Sequence, residues 1–272
     1  RPPVPLLHRS RLEILRIDEQ LMIRQFLIKT LLFTATFAAT ASAVSRYSYK
    51  IEDITPHNIS AYTQGFFYHE GYFYESTGQY GNSMIAKVDI TTGKVLRSHA
   101  LERSFFGEGA CIHNGLIYQL TWTQKTCFIY DAQSFNLLGT RRYNREGWGL
   151  TTDGKNLIMS DGSSTLYFMD PETLLDKRTV TVTLNGKEVS YLNELEYIEG
   201  EVWGNLYMSD EIVRIDPATG KVTGVIDLKG ILPVSLRKPT TDVLNGIAYD
   251  PQTKSIWITG KYWPRVYKIS IH

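Results

Sequence analysis

Cysteine is nearly absent from this 272-residue chain: Cys111 and Cys127 are the only two, with no Cys-x-x-Cys pair. That excludes a disulfide-dense scaffold and the usual structural zinc patterns. His57, His69, His99, His113 and His272 are scattered with no close pair, so no histidine metal motif exists either. Charge of one sign is not in surplus: 29 Lys and Arg face 28 Asp and Glu, a formal net charge of +1. Nothing therefore steers the chain to nucleic acid or to an anionic membrane. Long hydrophobic runs are missing as well. The most apolar stretch, from Thr30 to Ala39, falls well short of the roughly 20 residues that cross a bilayer as a helix.

That stretch has a different reading. Arg24 and Lys29 precede it, and Ala41, Ser42 and Ala43 follow with small side chains, the order of a secretory signal. Residues 22–43 are expected to be that signal, with Met22 as initiator, and residues 1–21 to be upstream sequence translated from a misplaced start. Cleavage after Ala43 would deliver a soluble, membrane-free protein across the inner membrane, in the periplasm. Residues 1–43 carry six Lys and Arg and three Asp and Glu, which leaves 23 basic and 25 acidic side chains and a net charge near −2 on residues 44–272.

In residues 44–272 a repeat decides the architecture. Units begin at Gln64-Gly65-Phe66, Glu108-Gly109-Ala110, Trp148-Gly149-Leu150, Asn193-Glu194-Leu195 and Asn245-Gly246-Ile247, spaced by 44, 40, 45 and 52 residues. The longest spacing contains Leu232–Pro239, a proline-bounded insertion expected to be a surface loop. Each unit continues with a second strand in a common seven-residue frame: Tyr72–Gly78, Leu116–Trp122, Asn156–Gly162, Glu201–Tyr207 and Ser255–Lys261. A third strand ends on Asp89, Asp131, Asp170 or Asp216, or runs as Val266–Ile269, and glycine-bearing turns lead into a fourth.

Four strands per 40–50 residues predict a propeller blade, and no 3.6-residue apolar period supports helical repeats. The prediction is an all-β, five-bladed β-propeller of four antiparallel strands per blade. The fifth unit stops at His272 after its third strand, and Tyr49–Ile54 stands unassigned before the first, so this N-terminal strand is expected to complete the last blade. A β-sandwich of similar strand count is the alternative. Within one blade, Cys111 falls on the first strand and Cys127 on the third, about two strand spacings apart and beyond disulfide reach, so two buried thiols are expected.

Parallel inner strands bring equivalent positions together at one mouth of the channel. Gln64, Glu108, Trp148, Asn193 and Asn245 form a first ring, and the returning second strands add Gly78, Trp122, Gly162, Tyr207 and Lys261. One carboxylate and one lysine among carboxamides and aromatics describe a small-ligand pocket, with Glu108 the sole axial carboxylate. Trp203 and Trp257, in mid-strand, are expected in blade cores. Glu196 shares a strand face with Glu194 but suits an outward or inter-blade role better than a catalytic pair. Asp153-Gly154 reads as a turn, and Asp161 to Ser164 as a loop without phosphate-binding context.

With these residues in view, the chain resembles the plant and bacterial propeller type of glutaminyl cyclase, also called glutaminyl-peptide cyclotransferase or glutamine cyclotransferase. Tyr62–Gly65, Phe106–Gly109, Leu120–Trp122, Gly147–Gly149, Leu192–Glu196, Val202–Asn205, Leu244–Gly246 and Thr259–Lys261 carry the resemblance over nearly all of residues 44–272. It implies a five-bladed propeller that converts N-terminal Gln, and more slowly Glu, of peptides or proteins to pyroglutamate. The functional positions it implies are Gln64, Glu108, Asn193 and Lys261, with Tyr62, Phe106, Trp122, Trp148 and Tyr207 around the substrate. Tyr207 departs from the common Trp. Glu108 would act as base and then acid, with no metal and no cofactor, in a chain expected to be a monomer. A non-catalytic binding propeller and a lactonase-like hydrolase remain as alternatives; the hydrolase requires several axial carboxylates for a calcium ion.

Overall fold

The computed structural model describes residues 44–272; the proposed upstream segment and signal lie outside the described residues. Two strands precede the repeat, β1 (Ser45–Tyr47) and β2 (Tyr49–Pro56). Blade 1 is β3 (Thr63–His69), β4 (Tyr72–Thr77), β5 (Met84–Asp89) and β6 (Val95–Ala100). Blade 2 is β7 (Gly107–His113), β8 (Leu116–Thr121), β9 (Thr126–Asp131) and β10 (Leu137–Arg142). Blade 3 follows as β11 (Leu150–Thr152), β12 (Leu157–Met159), β13 (Thr165–Met169) and β14 (Asp176–Thr181), with a small hairpin after it, β15 (Thr183–Leu184) and β16 (Lys187–Glu188). Blade 4 is β17 (Leu192–Ile198), β18 (Glu201–Leu206), β19 (Glu211–Ile215) and β20 (Val222–Asp227), and blade 5 is β21 (Leu244–Asp250), β22 (Ser255–Gly260) and β23 (Arg265–Ile271).

The inner strands β3, β7, β11, β17 and β21 contact one another in that order, and β21 returns to β3, so the ring is closed. Its closure is the expected one. β2 pairs antiparallel with β23, Ile51 opposite Ile269 and Thr55 opposite Val266, as fourth strand of blade 5. Blade 4 departs from the four-strand expectation, because β1 adds a fifth strand, parallel to β20, with Tyr47 opposite Ile226. The insertion is largely exposed, with a single 3-10 turn at Val234–Leu236, although Leu232 is buried.

Apolar faces of adjacent blades supply the core. Phe66, Phe73, Val88 and Val266 pack with Trp257 between blades 1 and 5, and Trp203, Ile212 and Ile226 meet Ile247, Ile258 and Tyr267 between blades 4 and 5. Trp203 and Trp257 are thus blade core, each buried side chain of this kind stabilising by about 1.5–3 kcal/mol. The aspartates that end the third strands build the turns: Asp89, Asp131, Asp170 and Asp216 each accept backbone N–H groups from residues two or three further on, at 2.7–3.0 Å. Cys111 and Cys127 are free and buried, and burial pushes both thiols up, Cys127 to about 12.

Candidate active site

The starts of the inner strands are irregular, and the irregularity aims side chains at the axis. Register shifts between Thr63 and Gly65, Gly107 and Ala110, Leu192 and Leu195, and Leu244 and Ile247 place Gln64, Glu108, Asn193 and Asn245 in β-bulges. In four blades the next residue is glycine. At Gly109 and Gly149 a Cβ would strike the neighbouring inner strand, so these glycines set how closely the strands approach the axis. Blade 4 has Glu194 instead, and its carboxylate fills the bore.

At this mouth lies a pocket of about 340 Å³ that brings together all nine residues named from sequence, Tyr62, Gln64, Phe106, Glu108, Trp122, Trp148, Asn193, Tyr207 and Lys261, and adds Gln79. Gly78 and Gly162 occupy their expected ring positions but contribute room: a Cβ at Gly78 would strike Phe106, and one at Gly162 would come within 2.7 Å of the Trp148 indole. The walls pack edge to face, Phe106 against Trp122 at 5.7 Å and against Tyr62 at 6.1 Å, and Trp148 against Tyr207 at 5.7 Å. Tyr207 therefore contributes to the wall through its ring.

Polar groups are few and buried. Glu108 is buried, and among the described residues no hydrogen bond reaches its carboxyl oxygens; the backbone carbonyl of the same residue accepts from Ser76 Oγ. Burial holds its proton affinity well above the usual carboxylate range, with Lys261 opposing and Glu146 adding to the effect. Lys261 is also buried, and burial pulls its ammonium down against the attraction of Glu108 and Asp242. Its Nζ lies 4.6 Å from the Tyr62 ring centre and 5.2 Å from that of Tyr207. Asn193 is among the residues lining the pocket, and its Oδ1 is buried without a hydrogen-bond partner.

Two expectations from the sequence are overturned. Asn245 does not line the pocket; its Nδ2 donates to Thr63 O at 2.9 Å and to Gln64 Oε1 at 3.4 Å, so it braces the neighbouring blade. Glu108 is not the sole axial carboxylate. Glu194 lies buried in the bore, accepting from Phe66 N at 3.2 Å and Ile247 N at 2.9 Å; burial and the nearby Glu196 raise its proton affinity well above normal while those amides oppose. The bulge turns Glu194 inward, out of the alternation that sequence periodicity assumes. Glu196 takes the inter-blade role expected of it: its Oε2 accepts from Thr151 Oγ1 of blade 3 at 3.4 Å. It lines a cavity of about 380 Å³ among the far ends of the inner strands, with Thr151 and Tyr249, and burial pushes it up to about 8.

Glu146 is a further residue missed from sequence. Its Oε2 accepts from Trp122 Nε1 at 2.7 Å and from Trp148 Nε1 at 3.2 Å. It precedes Gly147-Trp148-Gly149, but only the fold shows that Trp122 reaches the same oxygen. Gln79 left a fainter signal, as the polar residue directly after a ring glycine.

A closed propeller with an aromatic pocket at one axial mouth, a buried acid facing a buried lysine, is built for chemistry on a small group inserted from solvent. Comparison with known proteins gives the class its family. The glutamine cyclotransferase family model matches residues 25–271, and the chain belongs to that family of enzymes. It is 43% identical over 222 residues to a glutaminyl-peptide cyclotransferase of Arabidopsis thaliana, a match spanning 79% of this chain and 69% of that protein. The crystal structure of Myxococcus xanthus glutaminyl cyclase superposes with a TM-score of 0.79 at 35% identity, over 85% of this chain and 98% of that one.

Proposed function

We propose that this enzyme closes N-terminal glutamine of peptides into pyroglutamate with release of ammonia, and acts more slowly on N-terminal glutamate with release of water. The observation that carries the reading is the Glu108 carboxyl group, buried, unbonded and facing the pocket shared with Lys261 and the unpartnered Asn193 Oδ1. The Asn193 oxygen accepts from the substrate amine and turns its lone pair towards the side-chain amide carbon. Glu108 takes the amine proton as the nitrogen–carbon bond forms, and the carbonyl oxygen gains the negative charge. Gln64 and Lys261 donate to that oxygen. The carbon–nitrogen bond of the side-chain amide then breaks, and Glu108 returns its proton to the departing nitrogen, which leaves as ammonia. The aromatic walls hold the side chain folded back on its own amine, which is a large part of the rate gain in a cyclisation.

No step in this sequence passes through a metal. Both Glu194 oxygens are engaged by backbone N–H groups, and among the described residues no cluster of three or more His, Cys, Asp or Glu could hold an ion. That weighs against the calcium hydrolase reading. Incubation with a Gln-initiated peptide, with and without a strong chelator, tests the proposal. Equal ammonia release in both arms supports it, no release favours a binding protein, and loss restored by zinc or calcium shows a missed metal site. We further propose export with removal of residues through Ala43; the intact mass of the exported protein decides it.

A further inference from the structure

The two indoles of the pocket wall come from different blades. Trp122 follows β8 of blade 2, where its backbone N–H donates to Phe106 O at 3.0 Å, and Trp148 precedes β11 of blade 3, where it donates to Ser160 O at 3.1 Å. Nothing in the propeller repeat requires their edges to converge. They do converge, on one oxygen of Glu146, which sits on the connection between the blades. That connection is fixed in turn: Gly147 N donates to Trp122 O at 3.2 Å, and any side chain at Gly147 would strike Thr121 O and the Tyr143 hydroxyl. An indole N–H has no alternative but to donate, so an acceptor shared by both sets the angle between the rings.

We infer that Glu146 is the positioning residue of this pocket, its carboxylate locking Trp122 and Trp148 into one wall and setting an anionic charge behind it, beside Glu108. The inference rests on the cyclisation proposed above. It assigns Glu146 no contact with the substrate. It gives two separable effects: the hydrogen bonds hold the wall against which the substrate side chain folds, and the charge raises the proton affinity of Glu108. Lys261 faces Glu108 with the opposite charge, and the Tyr62 and Tyr143 phenols are the other titratable groups that feel it.

Two substitutions divide these effects. Glu146→Gln keeps an oxygen that can accept from both indoles and removes the charge; Glu146→Ala removes both. Steady-state kinetics on a Gln-initiated peptide across pH should show KM within about twofold of wild type for Glu146→Gln and raised about tenfold for Glu146→Ala, the loss of two modest hydrogen bonds. In both variants the acid limb of kcat/KM should move to lower pH, because a like charge has left the neighbourhood of Glu108. A packing role alone would not move that limb. Wild-type KM in Glu146→Ala, or an unmoved limb in Glu146→Gln, would overturn the inference. Should Glu146→Ala fail to fold, the limb of Glu146→Gln still decides. Absence of ammonia release by the unmodified enzyme would instead sink the function on which the inference rests.

Discussion

Gly162 sits with φ at +82° and its missing side chain occupied by Trp148, so two constraints meet in one residue. Gly162→Ala should strain the backbone and push the indole into the pocket. The expected outcome is a folded protein with kcat/KM lowered on the order of tenfold or more, since misplaced pocket walls are costly to cyclisation. Kinetics beside a thermal melt check it, and unchanged kinetics would show that the wall position is not critical. At this scale the pocket was largely legible: side-chain type at equivalent repeat positions picked out seven of its ten lining residues, and the family resemblance added Tyr62 and Phe106. What escaped depended on direction. Glu194 follows Asn193 in sequence, and only a bulge lets both point inward. Glu146 lies outside the repeat frame, and its role arises from two side chains 24 residues and two residues away.

Among the elements, the connection from β2 to β3 joins the last blade to the first. His57 lies on it, buried, with Nδ1 2.7 Å from Trp263 O and Nε2 3.0 Å from Glu75 Oε1, an oxygen that also accepts from Thr63 Oγ1 at 2.6 Å. Burial pulls the imidazole down, but the Glu75 charge and both hydrogen bonds outweigh it, and the pKa is raised on balance. The stability this contributes is full below the unfolded value near 6.5 and is lost as pH rises through the folded value. His57→Ala leaves the Glu75 carboxylate buried without its ionic partner and should destabilise by about 3–5 kcal/mol, read by denaturant unfolding. A loss below about 1 kcal/mol would mean the pair does not lock the ring. His57 was read only as one of several scattered histidines, because its partners are 18 and 206 residues away. β1 escaped for a different reason: three largely exposed residues, without periodicity, find their place only because Gly224 leaves room for the Tyr47 ring.

Across the whole molecule, the blade count followed from the repeat, and the ring closure from the unassigned N-terminal strand, which pairs with β23 as the fourth strand of blade 5. The bore was less readable. Glu196 at the far mouth carries a pKa raised from 4.5 to about 8 by burial. The folded state therefore holds this proton more tightly than the unfolded chain, so the stabilisation is full below the unfolded value and lost as pH climbs from about 4.5 to about 8. Glu196→Gln should raise the melting temperature more at about pH 9 than at about pH 5, because only the ionised carboxylate is penalised. An equal change at both pH values would contradict the assignment.

In the proposed cyclisation Glu108 carries both proton transfers. Glu108→Gln keeps the shape and removes the base, and the buried, unbonded position suits an uncharged side chain. The decisive measurement is the rate of ammonia release from a saturating Gln-initiated peptide by wild type and Glu108→Gln, with the melting temperature of each. The variant should fold, with kcat lowered about 10²- to 10⁴-fold; a folded Glu108→Gln enzyme turning over at the wild-type rate would show that Glu108 does not carry the proton transfers.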